Sequence, residues 1–377
     1  MHTFIAVHGG AGSHSSSTER ELKQALRLAC KKALDSSSLA PRSPLDVAEV
    51  AITVLEDDPV LNAGYGSNLS LEGTVECDAA IMDGNYRFGS VGAISGVKNP
   101  IQVARALLQN SQISDPLGRV PPLTLVGSGA HVFASKNPHT SSGIIDKGSM
   151  VSAGARDRWR YWKKKLTSAK MGDLDPSQPV EIGQNLHDLQ DTVGAVTSRF
   201  GGEMASGVSS GGLLLKMEGR CGEAAVFGAG CWAQNFRPGA RIGMACSISG
   251  TGEYITRSGL ARALGKAFEV LEPNNSDEDV DPHAIIQKVL IHEFWKPSQD
   301  LGESSPSAGI LLMTYEDGDD EPIVRVWCAF TTPTMAIAYA STKNSSPKAL
   351  ILRRPKGMTR TRPDDNLAPV YMTAFSL

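Results

Sequence analysis

The sequence lacks the features that mark several large classes of protein. No apolar run approaches the roughly 18 residues that a membrane-spanning helix needs, so we expect no membrane insertion. The 37 basic residues are outnumbered by 40 acidic ones, and a net charge of −3 argues against a general nucleic-acid binder. The first residues, Met1 to Ile5, show neither the basic start nor the apolar stretch of a secretory signal, so we expect a cytoplasmic location.

Motifs for metals, dinucleotides and the commoner nucleophiles are also missing. The six cysteines are scattered and form no C-x-x-C pair, which argues against a zinc site or a disulfide framework. There is no Walker A sequence, no G-x-S-x-G elbow and no H-E-x-x-H motif. The glycine-rich run His8–Gly12 does not have dinucleotide-site spacing, and each histidine taken alone is more often structural than catalytic.

What the chain has in excess is glycine, 38 of 377 residues where about 7% is usual. The clearest predicted helix follows Ser43, a residue type that caps helices, and carries an apolar stripe from Val47 to Leu55. Predicted helices and strands come in blocks, which argues against simple βαβ alternation. Strands are predicted at 3–7, 74–82, 88–94, 123–126, 192–197, 203–209, 241–249, 309–315, 323–330 and 335–340.

Residues 137–190 differ in composition from the segments on either side. The block Arg156–Lys170 holds seven basic residues and one acidic residue, which indicates an exposed linker or a loosely packed helix. We expect a flexible linker over 137–190, because structureless segments of this length are usually functional or disordered. The basic run Lys163–Lys165 is either a nuclear-localisation signal or, more commonly, a solvated charged face.

The segment after this linker, Asp191-Thr192-Val193, points to one kind of chemistry. A threonine hydroxyl is a poor nucleophile and needs a base. The residue's own α-amino group, with a pKa of about 7.7–8.0, can be that base if the threonine is the first residue of a chain. Thr192 is internal, so this requires a cut between Asp191 and Thr192. On these residues alone, the commoner explanation is a strand that begins with threonine.

Further motifs recur around Thr192 in a fixed order and closely resemble a known family. That family is the plant-type asparaginases and glycosylasparaginases, which are N-terminal-nucleophile hydrolases that cut themselves into an α and a β chain. The resemblance covers residues 4–135 and 190–341. The motifs are the segments 8–12, 62–66, 77–84, 209–212, 219–223, 228–233 and 249–253.

Within the family, the details look most like the taspase (threonine aspartase) branch. The features that carry this likeness are Asp191 and the segments 62–69, 208–213, 231–233 and 331–332. Plant-type asparaginases usually have glycine before the nucleophile, and glycosylasparaginases usually have aspartate, so Asp191 alone does not decide the branch.

The resemblance implies a four-layer αββα sandwich, an α/β (α+β) fold, formed as a single domain over residues 1–377. It implies an α chain of 1–191, a β chain of 192–377 and a homodimer of processed αβ units. No organic cofactor is implied and we predict no metal site, although relatives hold a structural sodium ion that would lie around Glu56–Ala63.

The family's catalytic roles carry over to five residues. Thr192 would be the nucleophile, and its freed amine the general base. Ser210 would be a second hydroxyl touching the nucleophile. Ser249 and Gly250 would form the oxyanion hole, in which one donor is typically worth about 10² to 10³ in rate. Asn62 would face the nucleophile.

Three further residues correspond to the family's substrate site. Arg220 would hold a substrate carboxylate with its guanidinium fork, and Gly252 would allow close approach of the substrate. Asparaginases carry aspartate where this chain has Glu223, to hold the substrate's α-amino group. Arg220 could instead form a structural ion pair with Glu223.

Three functions remain open from the sequence. The first is a threonine endopeptidase whose protein substrate carries an aspartate before the cut site. The second is an L-asparaginase or isoaspartyl peptidase acting on small amides. The third is a catalytically silent binding scaffold, which the full set of site residues disfavours.

Overall fold

The computed structural model describes residues 2–39, 42–171, 192–237, 242–269, 281–318, 321–355 and 370–377. The strands are β1 (Thr3–Gly12), β2 (Cys77–Asp83), β3 (Phe88–Ile94), β4 (Thr124–Val126), β5 (Val193–Arg199), β6 (Glu203–Ser210), β7 (Cys231–Gln234), β8 (Gly243–Gly250), β9 (Ala308–Glu316), β10 (Ile323–Phe330), β11 (Thr334–Ser341), β12 (Lys348–Arg353) and β13 (Tyr371–Ser376). The helices are α1 (Glu19–Leu39), α2 (Pro44–Glu56), α3 (Pro100–Asn110), α4 (Gly127–Lys136), α5 (Ala153–Met171), α6 (Gly252–Ser258), α7 (Leu260–Glu269), α8 (Pro282–Val289) and α9 (Lys296–Asp300), with a π-helical turn at Leu290–Trp295.

The strands form two sheets. The larger sheet has the order β12-β11-β1-β5-β6-β2-β3-β4, and the smaller one β13-β10-β9-β8-β7. All pairings are antiparallel except that of β3 with β4. In the larger sheet β5 and β6 lie between β1 and β2, so strands from before and after Thr192 interleave.

The two faces of β1 show how the layers are arranged. Ile5 and Val7 pack into the cluster that α1, α2 and α3 cover. Phe4 and Ala6 point the other way, into a cluster shared with the smaller sheet and with α7 and α8. Successive side chains of a strand alternate between faces, so a strand buried on both sides has an almost continuous apolar sequence. The layers are therefore helix, sheet, sheet and helix, which confirms the predicted αββα sandwich.

Local sequence signals account for the start and the buried face of α2. Ser43 and Asp46 form a reciprocal capping box, and Pro44 occupies the first helical position. The buried side chains, among them Val47, Ile52 and Leu55, lie on the face toward the sheet.

Among the described residues, no helix is both long enough and apolar enough to cross a membrane.

The region predicted as a flexible linker is folded as far as it is described. Residues 137–171 contain two short 3-10 turns followed by α5, which fits the alternative of a loosely packed helix. Trp159 packs against the buried cluster under the helices, and its indole N–H donates to the backbone carbonyl of Ser70 at 2.8 Å. This side chain anchors α5, which the charge pattern did not predict. Lys164 is exposed on this helix, and residues 172–190 lie outside the described part of the chain.

Glu56, at the end of α2, is a fully buried carboxyl group. Its Oε1 accepts hydrogen bonds from Ser209 Oγ at 2.6 Å and from the Ile101 N–H at 3.0 Å. Burial raises the pKa of this carboxyl from 4.5 to about 8, against the opposing effect of those hydrogen bonds. The folded chain therefore holds a proton on Glu56 up to a higher pH than the unfolded chain does.

This difference predicts how stability depends on pH. Between pH 4.5 and about 8 the folded state binds more protons at Glu56, so its contribution to the free energy of unfolding falls as pH rises. As pH rises from 5 to 8.5, we expect the melting temperature of Glu56→Gln to fall less than that of wild type. Thermal unfolding across that range measures this, with the exposed Glu72→Gln as the control. Parallel curves for wild type and Glu56→Gln would contradict the assignment.

Candidate active site

Thr192 lies directly before β5, beside the end of β6. The two strands pair with Val193 opposite Ser209, and this register brings the next residue, Ser210, next to Thr192. The two hydroxyl oxygens, Thr192 Oγ1 and Ser210 Oγ, are 3.1 Å apart, and both residues are buried. The structure thus brings together the predicted nucleophile and the predicted second hydroxyl. Asp191 lies outside the described residues.

Glu223 is the second polar partner of Thr192. Its Oε1 lies 2.8 Å from Thr192 Oγ1. An ionised carboxylate can only accept, so the single hydroxyl proton of Thr192 points to Glu223. The hydroxyl oxygen of Ser210 accepts from the Gly212 N–H at 3.0 Å and is the second acceptor that the Thr192 hydroxyl can reach. Thr192 therefore has two acceptors beside its hydroxyl, Ser210 Oγ and the carboxyl group of Glu223.

The electrostatic environment of Glu223 is set mainly by burial. Burial raises the pKa of this carboxyl, and the nearby charge of Arg220 and the hydrogen bond from Thr192 oppose that shift. The loop that carries Glu223 is fixed by Asp78 on β2, whose Oδ2 accepts from the Gly222 N–H at 2.7 Å. Its other oxygen accepts from the Ala93 N–H at 2.8 Å, so Asp78 ties the loop to the neighbouring strand β3.

Arg220 lies on the same loop, and its guanidinium group is held by Glu253 rather than by Glu223. Nε and Nη2 donate to the two carboxylate oxygens of Glu253 at 2.9 and 2.8 Å, a bidentate pair. A side chain at Gly252 would be impossible here: a Cβ would lie 2.4 Å from Glu223 Oε2 and 2.7 Å from Arg220 Nη2. The sequence-based alternative, a structural pair of Arg220 with Glu223, is therefore not the geometry observed.

Asn62 holds together the loops beneath the nucleophile. Its side-chain amide donates to the Gly212 carbonyl at 2.9 Å, and its side-chain oxygen accepts from the Asn68 N–H at 2.8 Å. Its own carbonyl accepts from the Gly211 N–H at 2.8 Å. Asn62 therefore fixes the turn that follows Ser210, and it also lines the pocket.

The two residues predicted to form the oxyanion hole have different positions. Gly250 lines the pocket and has a φ of 136°, and a Cβ there would lie 2.1 Å from the Ser307 carbonyl oxygen, so only glycine fits. Ser249 is fully buried, and its hydroxyl oxygen accepts from the Ala11 N–H at 3.1 Å. Ser249 does not belong to the pocket lining in this uncut chain.

One small pocket collects most of the predicted site residues. Its lining consists of Asn62, Thr192, Ser210, Gly212, Leu213, Arg220, Glu223 and Gly250. The accessible space within it is about 10 Å³, room for about one water molecule. The uncut chain therefore presents an assembled but nearly closed site.

His8 is a site residue that sequence reasoning set aside as structural. It is fully buried on β1 opposite Gly194 of β5, and its Nε2 lies 2.8 Å from Ser247 Oγ. Burial lowers its pKa to about 3, with a hydrogen bond to the Thr192 backbone acting the other way. His8 is therefore a neutral, buried ring that Ser247 holds next to β5. The motif His8–Gly12 was the available signal.

The loop suggested for a sodium ion packs closely against Gly66. Carbonyl oxygens of Leu61, Asp58 and Pro59 lie 2.0, 2.9 and 2.9 Å from the position that a Cβ of Gly66 would take, so only glycine fits there. The sodium ion at this loop stays a prediction. In the described part of the chain, no group of three or more His, Cys, Asp or Glu residues is placed to bind a metal.

Comparison with known proteins finds one family over most of the chain. Residues 1–276 match the family Asparaginase_2, described as asparaginase. A plant-type L-asparaginase of Pyrococcus horikoshii is 36% identical over 270 residues, 68% of this chain and 77% of the relative. A probable isoaspartyl peptidase/L-asparaginase 2 of Arabidopsis thaliana is 34% identical over 280 residues, 70% of this chain and 80% of the relative.

An animal relative matches a similar share of the chain at a similar identity. An isoaspartyl peptidase/L-asparaginase of Xenopus laevis is 33% identical over 267 residues, 70% of this chain and 75% of the relative. The family match over residues 1–276 includes every residue that lines the pocket around Thr192. The chain therefore belongs to the asparaginase family of N-terminal-nucleophile hydrolases and is a hydrolase.

Proposed function

We propose that this protein cuts itself before Thr192 and then acts as an L-asparaginase and isoaspartyl peptidase on small amide substrates. The observation that carries the proposal is the pair of opposite charges in the pocket, Arg220 and Glu223, on either side of Gly252. A small amino-acid amide carries both an α-carboxylate and an α-ammonium group. Arg220 would take the first and Glu223 the second, as their charges require.

The proposed catalytic cycle uses residues of this chain alone. After the cut, the free amine of Thr192 accepts the proton of its own hydroxyl as the oxygen attacks the substrate's side-chain amide. The backbone N–H of Gly250, which lines the pocket, would stabilise the oxyanion, and the hydroxyl of Ser249 could join it only after turning toward the pocket. Ser210 orients the attacking oxygen. Ammonia or an amine leaves with the proton, and water then hydrolyses the acyl-threonine ester.

A second candidate is a threonine endopeptidase that cuts a protein substrate after aspartate. Two features favour it: Asp191 precedes the nucleophile, and Arg220 could read an aspartate side chain as readily as an α-carboxylate. Self-cutting after Asp191 would be the internal form of that preference. In such an enzyme Glu223 would face a neutral peptide N–H instead of an ammonium group.

Parallel assays separate the two candidates. We expect purified, processed protein to release ammonia from free L-asparagine and to hydrolyse an isoaspartyl dipeptide. An internal aspartate peptide should stay uncut under the same conditions. Cleavage of that peptide after aspartate, without turnover of the small amides, would replace the first candidate by the second. Light scattering on the same sample tests the predicted homodimer of αβ units.

A further inference from the structure

The uncut chain has a chemical problem that the processed enzyme does not have. Before cleavage the nitrogen of Thr192 is part of the amide bond to Asp191, so it has no basic lone pair to accept a proton. A threonine hydroxyl that attacks without a base is a poor nucleophile. Self-cleavage therefore needs a proton acceptor other than the amine used in later turnover.

We propose that Glu223 is the proton acceptor for self-cleavage, a role that rests on the proposed self-processing before Thr192. Its Oε1 lies 2.8 Å from Thr192 Oγ1, within the range for direct proton transfer. The contact is present in the uncut chain, where the acceptor is needed. Glu223 is 3% exposed, so bulk water has little access to compete for this proton.

The step balances without any co-reactant except water. The Thr192 hydroxyl proton moves to Glu223 Oε1 while Oγ1 forms a bond to the carbonyl carbon of residue 191. The tetrahedral intermediate collapses by breaking the bond from that carbon to the Thr192 nitrogen, and Glu223 returns the proton to this nitrogen. The result is an ester and a free amine, and water hydrolyses the ester to the new carboxyl end of residue 191.

The other polar groups near Thr192 are less suited to accept this proton. Ser210, 3.1 Å away, has a hydroxyl that would first have to lose its own proton. His8 is held by Ser247 and contacts the Thr192 backbone rather than its hydroxyl. Asp78 is engaged by the backbone N–H groups of Ala93 and Gly222. Of these groups, Glu223 alone combines a carboxyl group with direct contact to Thr192 Oγ1.

The groups that face Glu223 predict how its action depends on pH. Arg220 on its own loop favours the ionised form, whereas burial and Asp78 of β2 favour the protonated form. Glu253 of α6 partly neutralises Arg220, and His8 stays neutral because burial lowers its pKa to about 3. The pKa of Glu223 lies above the usual range as a result, so self-cleavage should speed up as pH rises and Glu223 ionises.

After cleavage the same carboxylate is available for the substrate. The new ammonium group of Thr192 and the substrate's own ammonium group are both cations that Glu223 can meet. One residue would then act first as a base on the precursor and later as a binding group. This sequence of roles explains a buried carboxylate hydrogen-bonded to the nucleophile.

The test measures self-cleavage of labelled chains made by cell-free translation and transferred to buffers from pH 5 to 9. We expect Glu223→Gln to cleave at least a hundredfold more slowly than wild type, within the range of general base catalysis. Glu223→Asp keeps a carboxylate and should cleave at least tenfold faster than Glu223→Gln, with a rate that still rises with pH. The control is Glu49→Gln, a half-buried glutamate of α2 whose pKa is also raised by burial, to about 7.

Each result either supports or overturns the role of Glu223 in self-cleavage. Thermal unfolding of all variants shows whether Glu223→Gln is folded, and Glu223→Asp provides the comparison if it is not. Glu223→Gln that cleaves within threefold of wild type, or Glu223→Asp that cleaves no faster than Glu223→Gln, overturns the role of Glu223 while leaving self-processing intact. Wild type that remains one chain for days overturns the proposed self-processing, and the role of Glu223 with it.

Discussion

Thr192→Ala should remain a single chain of about 40 kDa and should hydrolyse no substrate. The substitution removes the only atom that attacks in both reactions, the cut before residue 192 and the later turnover. Wild type should give two fragments, 1–191 and 192–377. Denaturing electrophoresis and intact mass measure the first effect, and ammonia release from asparagine the second. We expect a loss of activity to the background rate.

Two variants control for effects on folding. Thr192→Ser keeps a hydroxyl and a future amine, so it should still cut itself and retain activity. Thr197→Ala removes another buried threonine of β5, whose hydroxyl donates to the Pro44 carbonyl at 2.8 Å, and it should be processed normally. The mechanism is wrong if wild type stays uncut and yet turns over substrate.

Arg220→Ala should lower kcat/KM by at least tenfold on any substrate that carries a carboxylate at the contacted position. A hydrogen bond to a charged group is worth about 1.5–3 kcal/mol, which corresponds to roughly a 10- to 150-fold loss. Arg220→Lys keeps the charge but loses the bidentate fork, so it should recover only part of the loss. Steady-state kinetics on asparagine and on an isoaspartyl dipeptide provide the measurement.

Self-cleavage must be measured separately in the Arg220 variants, because the charge of Arg220 also favours the ionised form of Glu223. Only fully processed protein should enter the kinetic comparison. Arg262→Ala, which removes an exposed arginine of α7, is the matched control and should keep wild-type kinetics. Unchanged kcat/KM in processed Arg220→Ala would show that this guanidinium does not hold substrate.

In the folded chain the guanidinium group of Arg220 is already paired with Glu253. The carboxylate of Glu253 occupies Nε and Nη2, the positions that a substrate carboxylate would take in a bidentate contact. Glu253 is more exposed than its partner, with side-chain exposure of 49% against 14% for Arg220. Substrate binding therefore exchanges one carboxylate for another or uses the remaining edge of the guanidinium group.

The sequence by itself determined the fold class and most elements of secondary structure, and it predicted Thr192 as the nucleophile. These features have local signals: the continuous apolar run at the start of β1, the cap at Ser43 and the order of the glycine-rich motifs. The short strands β7, β12 and β13 were not predicted. β7 has four residues, while β12 and β13 are partly exposed edge strands with weak patterns.

Only the tertiary structure decided which side chains meet at the site. Thr192 and Glu223 are 31 residues apart and Arg220 and Glu253 are 33 apart, so no local pattern could pair them. Strand register puts Thr192 beside Ser210, and Asp78 fixes the loop that brings Glu223 to the hydroxyl. Periodicity and caps encode where a segment folds, but the contacts of its side chains depend on how distant segments pack. The sequence therefore predicted Glu223 as a substrate-binding residue, and the folded chain places it in contact with the hydroxyl of the predicted nucleophile.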